Sequence, residues 1–238
     1  MNNLFYTEAE GEFTLTTPGI ITVILLIAVL MSLSVLLFYR LNREKTSKEP
    51  SVPKRKRPKT GNVALPIVYA SVAMALGIIT SEFLPTLSLP LGGSITLFSM
   101  LFIVLIGYWF GAGSGILTAL AYGLLQFVLD PKFISFPQVL LDYILAFGAL
   151  GISGFFCNQK HGLIRGYIAG VAGRFFFAFL AGVVIWGDSS MPLIGQITYS
   201  LAYQASYLIP EMILTLIVLA IPSVNRALAK VKQSLWNS

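Results

Sequence analysis

Uncharged, mostly apolar residues run without interruption from Gly19 to Tyr39, and long apolar runs return after Asn62, broken by proline, glycine and charged clusters. The breaks place them at about 63–84, 94–110, 112–130, 138–157, 164–187 and 193–222. A helix needs about 20 apolar residues to cross a bilayer, so the pattern predicts an all-α membrane protein with seven spans. One helix at 19–41 stands apart from six that follow a polar linker at 42–62. The domain reading is therefore an outer segment at 1–18, an extra transmembrane helix at 19–41, a basic linker at 42–62, and a helical bundle with a short cytoplasmic tail at 63–238.

Composition agrees. Of 238 residues, 56% are hydrophobic and 11% charged, whereas a soluble domain is roughly a quarter charged. The net charge of +6 raises the question of a nucleic-acid partner, but its distribution answers it. Nine of the 16 Lys and Arg residues lie in "RLNREKTSKEPSVPKRKRPK", directly after the first span. Such a run is a cytoplasmic topology signal that also favours anionic lipid. Residues 1–17 carry Glu8, Glu10 and Glu12 and no base, the opposite of a secretory n-region. Lys160, Arg165, Arg226, Lys230 and Lys232 fall on the linker's side when the spans are threaded in order. The expectation is a multi-pass protein of a prokaryotic cell membrane, N-terminus outside and C-terminus in the cytoplasm, with no nucleic acid among its partners.

Small residues recur at helical spacing. Ser71 and Ala75 are four apart, with Ala73 and Gly77 nearby, and Gly107, Gly111 and Gly115 repeat at the same interval. Such stripes let helices pack closely inside the bundle, or present a face to a partner helix.

Within the spans the clear ionisable residues are Asp142, Arg174 and Glu211. Charges in a bilayer are expensive and mark functional sites by default. Two acids and one base leave an excess negative charge, which a cationic ligand would match; a purely structural network among the three is the alternative. Tyr122, Tyr143, Trp186, Tyr199, Tyr203 and Gln204 lie toward the same outer ends of their spans. Aromatic faces beside a carboxylate suit a flat cationic heteroaromatic molecule. One Cys and one His exclude an internal disulfide and argue against a metal site. No paired nucleophile and base, no phosphate-gripping loop and no ATPase motif are present. The reading is a transporter rather than an enzyme, without a cofactor, whose energy comes from a partner or an ion gradient.

The motifs "GGSITLFSML", "YGLLQ", "LLDY", "GRFFFAFLAGVVIW" and "YSLAYQASYLIP" occur in an order that resembles the thiamine-specific substrate-binding (S) component of energy-coupling factor (ECF) transporters. The resemblance implies a six-helix S-component bundle that binds thiamine from outside and docks on a coupling transmembrane subunit carrying two ATPase subunits. It implies a site of Tyr122 as stacker, Asp142 facing the thiazolium with Tyr143 beside it, Arg174 at a basic position, Gly182 leaving room, Trp186 as an outer aromatic, Tyr199 as a polar aromatic, and Gln204 on the pyrimidine. It assigns Ser71 and Ala75 to partner docking. Asp142 stands where the family has Glu, Gln204 where it has Asn, and Ala178 where it has His. A second reading is therefore an S component for a thiamine precursor such as hydroxymethylpyrimidine. Others are a stand-alone proton-coupled transporter using Asp142 or Glu211, and a membrane scaffold working through the N-terminal arm.

Overall fold

The computed structural model describes residues 6–9, 12–15, 64–83, 87–88, 94–187, 190 and 192–237. The expected helix at 19–41 and the linker at 42–62 lie outside them. Within the expected outer segment, β1 (Tyr6–Ala9) pairs antiparallel with β2 (Glu12–Leu15), Tyr6 opposite Leu15.

The remainder of the described residues is mostly helical. Helix α1 (Ala64–Ile78) ends in a π-helical turn, Ile79–Phe83. Strands β3 (Leu87–Ser88) and β4 (Ser94–Ile95) pair antiparallel across the next connection. There follow α2 (Ser99–Phe110), α3 (Ala112–Leu129), the composite α4 (Phe136–Phe156), α5 (Gly162–Val184), α6 (Leu193–Ala220) and α7 (Pro222–Asn237). Five of these are long and apolar enough to span a membrane: α1 with its π turn, α3, α4, α5 and α6. Their bounds fall within a few residues of those read from the apolar runs.

Helix α2 differs from expectation. The run at 94–110 predicts a full span, but the helix has 12 residues, about 18 Å at 1.5 Å per residue. Phe98 takes a left-handed conformation with φ 64°, so the helix starts only at Ser99. The reason lies far along the chain. Glu211, buried in α6, accepts hydrogen bonds from Thr96 Oγ1 at 2.7 Å, Ser99 Oγ at 3.2 Å and the Met100 amide at 3.5 Å. An anion at a helix N-terminus satisfies unpaired amides and is favoured by the helix dipole. We expect Glu211→Leu to strand these donors at a cost of about 3 kcal/mol, lowering the thermal midpoint in detergent by about 6 to 12 °C. Glu211→Gln, which can still accept, should lose less than half of that; equal losses would sink the capping role.

The glycine stripe divides into two jobs. Gly111, at φ 93° and with open space where a Cβ would stand, makes the turn between α2 and α3, a conformation other residues rarely adopt. Gly107 and Gly115 instead mark contact: a Cβ on Gly115 would lie 2.6 Å from Gly107 Cα. Gly151 and Gly154 of α4 press against the backbone of α3 in the same way. The centre of the bundle is filled by Met100, Ile103, Leu150, Tyr167, Leu208 and Leu219.

On α1, Ala70, Ala73 and Gly77 face inward. Ser71 and Ala75 lie on the opposite, exposed face, beside Val68 and Val72. Ser71 Oγ donates to the Ile67 carbonyl at 2.9 Å, so that face presents no unpaired hydroxyl proton.

The residues of the expected tail form helix α7. Its Trp109-facing side is pinned to the end of α2: Trp109 Nε1 donates to the Leu228 carbonyl at 3.2 Å and Trp236 Nε1 to the Trp109 carbonyl at 2.8 Å. Lys232 lies 4.1 Å over the Tyr108 ring and donates to the Cys157 carbonyl, while Arg226 and Lys230 are exposed.

Candidate functional site

A cavity of about 400 Å³ opens between α4, α5 and α6 at the end of the bundle where the loop after α3 lies. Each helix contributes one face at intervals of four residues: Gln138, Asp142 and Ala146 from α4, and Arg174, Ala178 and Gly182 from α5, with Trp186 just beyond its end. Tyr199, Tyr203 and Tyr207 from α6, with Ser200 and Gln204 beside them, complete the wall. This is the spacing that stacks side chains along one side of a helix.

Asp142 and Tyr143 sit in a π-helical turn, Leu140–Leu145, a widened geometry found most often at functional sites. Both line the cavity. The two donors to Asp142 meet at one oxygen: Gln138 Nε2 at 3.1 Å and Trp186 Nε1 at 2.9 Å both reach Oδ2. Among the described residues Oδ1 receives no hydrogen bond, so one lone-pair face of the carboxylate is left for a ligand.

Among the described residues no cation takes that place. The Arg174 guanidinium lies 4.1 Å above the Phe147 ring rather than in ion-pair contact with an acid. Lys132, at the cavity rim, pairs with Asp130 at 3.3 Å, both exposed. Glu211 does not line the cavity; it is committed to the start of α2. The three intramembrane charges thus make no ion pair or hydrogen bond with one another, and among the described residues Asp142 is the one acid on the cavity wall.

The α6 wall is aromatic. Tyr199 and Tyr203 stack at 6.4 Å with 24° between planes, and Tyr203 meets Tyr207 edge-on at 5.7 Å and 72°. Gln204, buried, donates to the Ala178 carbonyl at 3.2 Å and accepts from Tyr207 OH. Those two partners orient the amide and leave one N–H for a ligand. Stacking faces, one oriented amide and one open carboxylate oxygen make a site for a planar, cationic, nitrogen-bearing ring.

The sequence model of the family described as Thiamine transporter protein (Thia_YuaJ) matches residues 67–230. The chain belongs to this family. The thiamine transporter ThiT of Bacillus subtilis (strain 168) is 32% identical over 168 residues, covering 65% of this chain and 85% of that protein. A solved structure of ThiT from Listeria monocytogenes aligns with a TM-score of 0.52 at 22% identity, over 67% of this chain and 96% of the other. That likeness shows the all-helical fold. The thiamine transporter family is one of transporters, not enzymes.

Of the residues expected at a family site, the structure gathers Asp142, Tyr143, Arg174, Gly182, Trp186, Tyr199 and Gln204 on one cavity. Tyr122 is not on its wall. Fully buried, it packs edge-on against Phe147 at 5.5 Å, and its hydroxyl accepts from Gln126 Nε2 at 3.0 Å. It reaches the cavity only through Phe147 and the Arg174 above it. Gly182 lies on the wall, where a Cβ would collide with Ser200 Oγ, so its absence also lets α6 approach α5. Tyr143 holds the loop after α3, its OH donating to the Asp130 carbonyl at 3.0 Å while its ring packs on Phe127 at 5.0 Å.

Gln138, Lys132, Ser200 and Tyr207 also line the cavity, beyond the residues expected from sequence; Tyr203, expected among the outer aromatic residues, lines it too. The signal for two of them was present. Gln138 is four residues before Asp142, and Tyr207 continues the four-residue interval of Tyr199 and Tyr203.

Proposed function

We propose that this member of the thiamine transporter family binds thiamine with high affinity from the outer side of a prokaryotic membrane. On this reading it is the S component of an ECF transporter and hands the vitamin inward when docked on a coupling transmembrane subunit with two ATPase subunits. The observation that carries the proposal is the carboxylate of Asp142, with Oδ2 held by two donors and Oδ1 open to a tyrosine-lined cavity. Thiamine has a fixed positive charge on its thiazolium ring and a pyrimidine able to take the remaining Gln204 N–H, so both halves find complementary chemistry.

Two features support the orientation and the partner. Lys160, Arg165, Arg226 and Lys230 lie at the end of the bundle formed by the α4–α5 turn and α7, opposite the cavity, which suits a cytoplasmic end. The exposed small-residue face of α1, with Ser71 and Ala75, suits close docking of another membrane helix. The reading includes lipid contact around the bundle and no catalytic or cofactor chemistry in this chain.

The test is thiamine titration of the purified protein, read by tryptophan fluorescence, followed by uptake in cells depleted of ATPase subunits. Trp109 and Trp236 are bonded to one another away from the cavity, whereas Trp186 lines it. Thiamine should quench the wild type, Trp186→Phe should lose most of the quench, and depletion should stop uptake. No binding by folded protein would refute the cargo, and undiminished uptake after depletion would refute the coupling.

A further inference from the structure

We propose that Gln138 is a positioning residue for the ligand-binding carboxylate, setting which oxygen of Asp142 faces the cavity and tying it to the loop after α3. The inference rests on the reading of Asp142 as the partner of a cationic ring.

A backbone amide fixes the direction of the Gln138 side chain. Ile134 N–H donates to Gln138 Oε1 at 3.4 Å. An N–H can pair only with the oxygen end of a carboxamide, so the Gln138 NH₂ group must turn the other way. There it donates to Asp142 Oδ2 at 3.1 Å. At 1% exposed, Gln138 has little room for another rotamer, and a flipped amide would set NH₂ against N–H and oxygen against carboxylate. Its own backbone is fixed as well, since the Gln138 amide donates to the Ser135 carbonyl at 3.1 Å at the start of α4. Trp186 meets the same oxygen from α5, but it is 46% exposed and lies past the helix end. The Trp186 bond is the shorter, at 2.9 Å against 3.1 Å, but the buried partner on the same helix has less freedom to move.

Two consequences follow. Oδ2 is occupied before a ligand arrives, so Oδ1 is presented without a search among carboxylate rotamers, and binding loses less entropy. The segment from Asp130 to Ser135 is tied to the same helical turns twice, by Gln138 at Ile134 and by Tyr143 at Asp130. A shift of the carboxylate therefore moves the rim of the cavity, including Lys132.

Gln138→Met keeps the volume and removes both hydrogen bonds. Its thiamine affinity should fall about tenfold, as loss of one hydrogen bond to a charged group implies. A neutral analogue with thiophene in place of thiazolium should bind within twofold of its wild-type value. In an Asp142→Asn background the same change should cost nothing further for thiamine, because the carboxylate it orients is gone. Equal weakening for both ligands would overturn the inference in favour of general packing, and so would unchanged thiamine affinity. Should Asp142→Asn alone leave thiamine binding intact, the reading of Asp142 falls first and this one with it. Gln138→Asn, too short to bridge Ile134 and Asp142, gives the same expected pattern if the Met variant does not fold.

Discussion

Asp142→Asn is expected to weaken thiamine binding by at least about a hundredfold, which corresponds to about 2.7 kcal/mol. Loss of charge accounts for part of this, since a hydrogen bond or contact with a charged partner contributes about 1.5 to 3 kcal/mol. Geometry adds the rest. Both Gln138 Nε2 and Trp186 Nε1 donate to Oδ2, so the carbonyl oxygen of an Asn must turn to meet them. Its NH₂ group then points into the cavity where Oδ1 stood and sets a donor against a cation. The substitution reverses the local polarity instead of merely neutralising it. Asp142→Glu, which keeps the charge but moves it, should fall between the two. Calorimetric titration of the three proteins checks the order; an Asn variant within threefold of wild type would remove Asp142 from the site. Hydroxymethylpyrimidine, which lacks the thiazolium, should bind Asn and Asp forms alike, so a cargo of that kind would show itself in the same experiment.

Gly151→Val should be the most damaging change outside the cavity. A Cβ at Gly151 would overlap the Ile116 backbone and lie 2.6 Å from the Gly115 carbonyl carbon, and backbone has no rotamer with which to yield. Overpacking where side chains can adjust already costs about 1 to 3 kcal/mol; here α3 and α4 must separate, at more than about 3 kcal/mol out of a total of about 5 to 15. The midpoint in detergent should drop by more than about 10 °C, or the protein should fail to elute as a single species. Gly148→Ala is the control, because its Cβ would meet only the Leu120 side chain, nearest at Cδ2 at 2.9 Å, the far end of a flexible group. A Val variant melting within about 3 °C of wild type would show that α3 and α4 are not in backbone contact.

The spans were legible because each is a local property. A run of apolar residues must become a helix in a bilayer whatever its neighbours do, since its backbone polar groups have no other partner there. The glycines at 107, 111 and 115 were legible as a stripe but not as two functions. Whether a glycine serves a turn or a contact depends on what stands opposite, and Gly111 has nothing there while Gly115 has the α2 backbone. Tyr122 and Tyr143 looked equivalent by depth. A rotation about the helix axis sends the first into the packed interior against Phe147 and the second to the cavity edge.

Sequence alone determined that this is a helical membrane protein, that two carboxylates and one arginine lie within the apolar spans, and that its motifs resemble a vitamin-binding family. Only the tertiary structure decided which carboxylate is free to bind. Glu211 and Asp142 are both carboxylates in apolar runs, but the chain brings Thr96, Ser99 and the Met100 amide to Glu211 across more than a hundred residues. It brings Gln138 and Trp186 to a single oxygen of Asp142. The role of a buried charge is set by how many donors reach it, and that number belongs to the fold and not to any stretch of sequence.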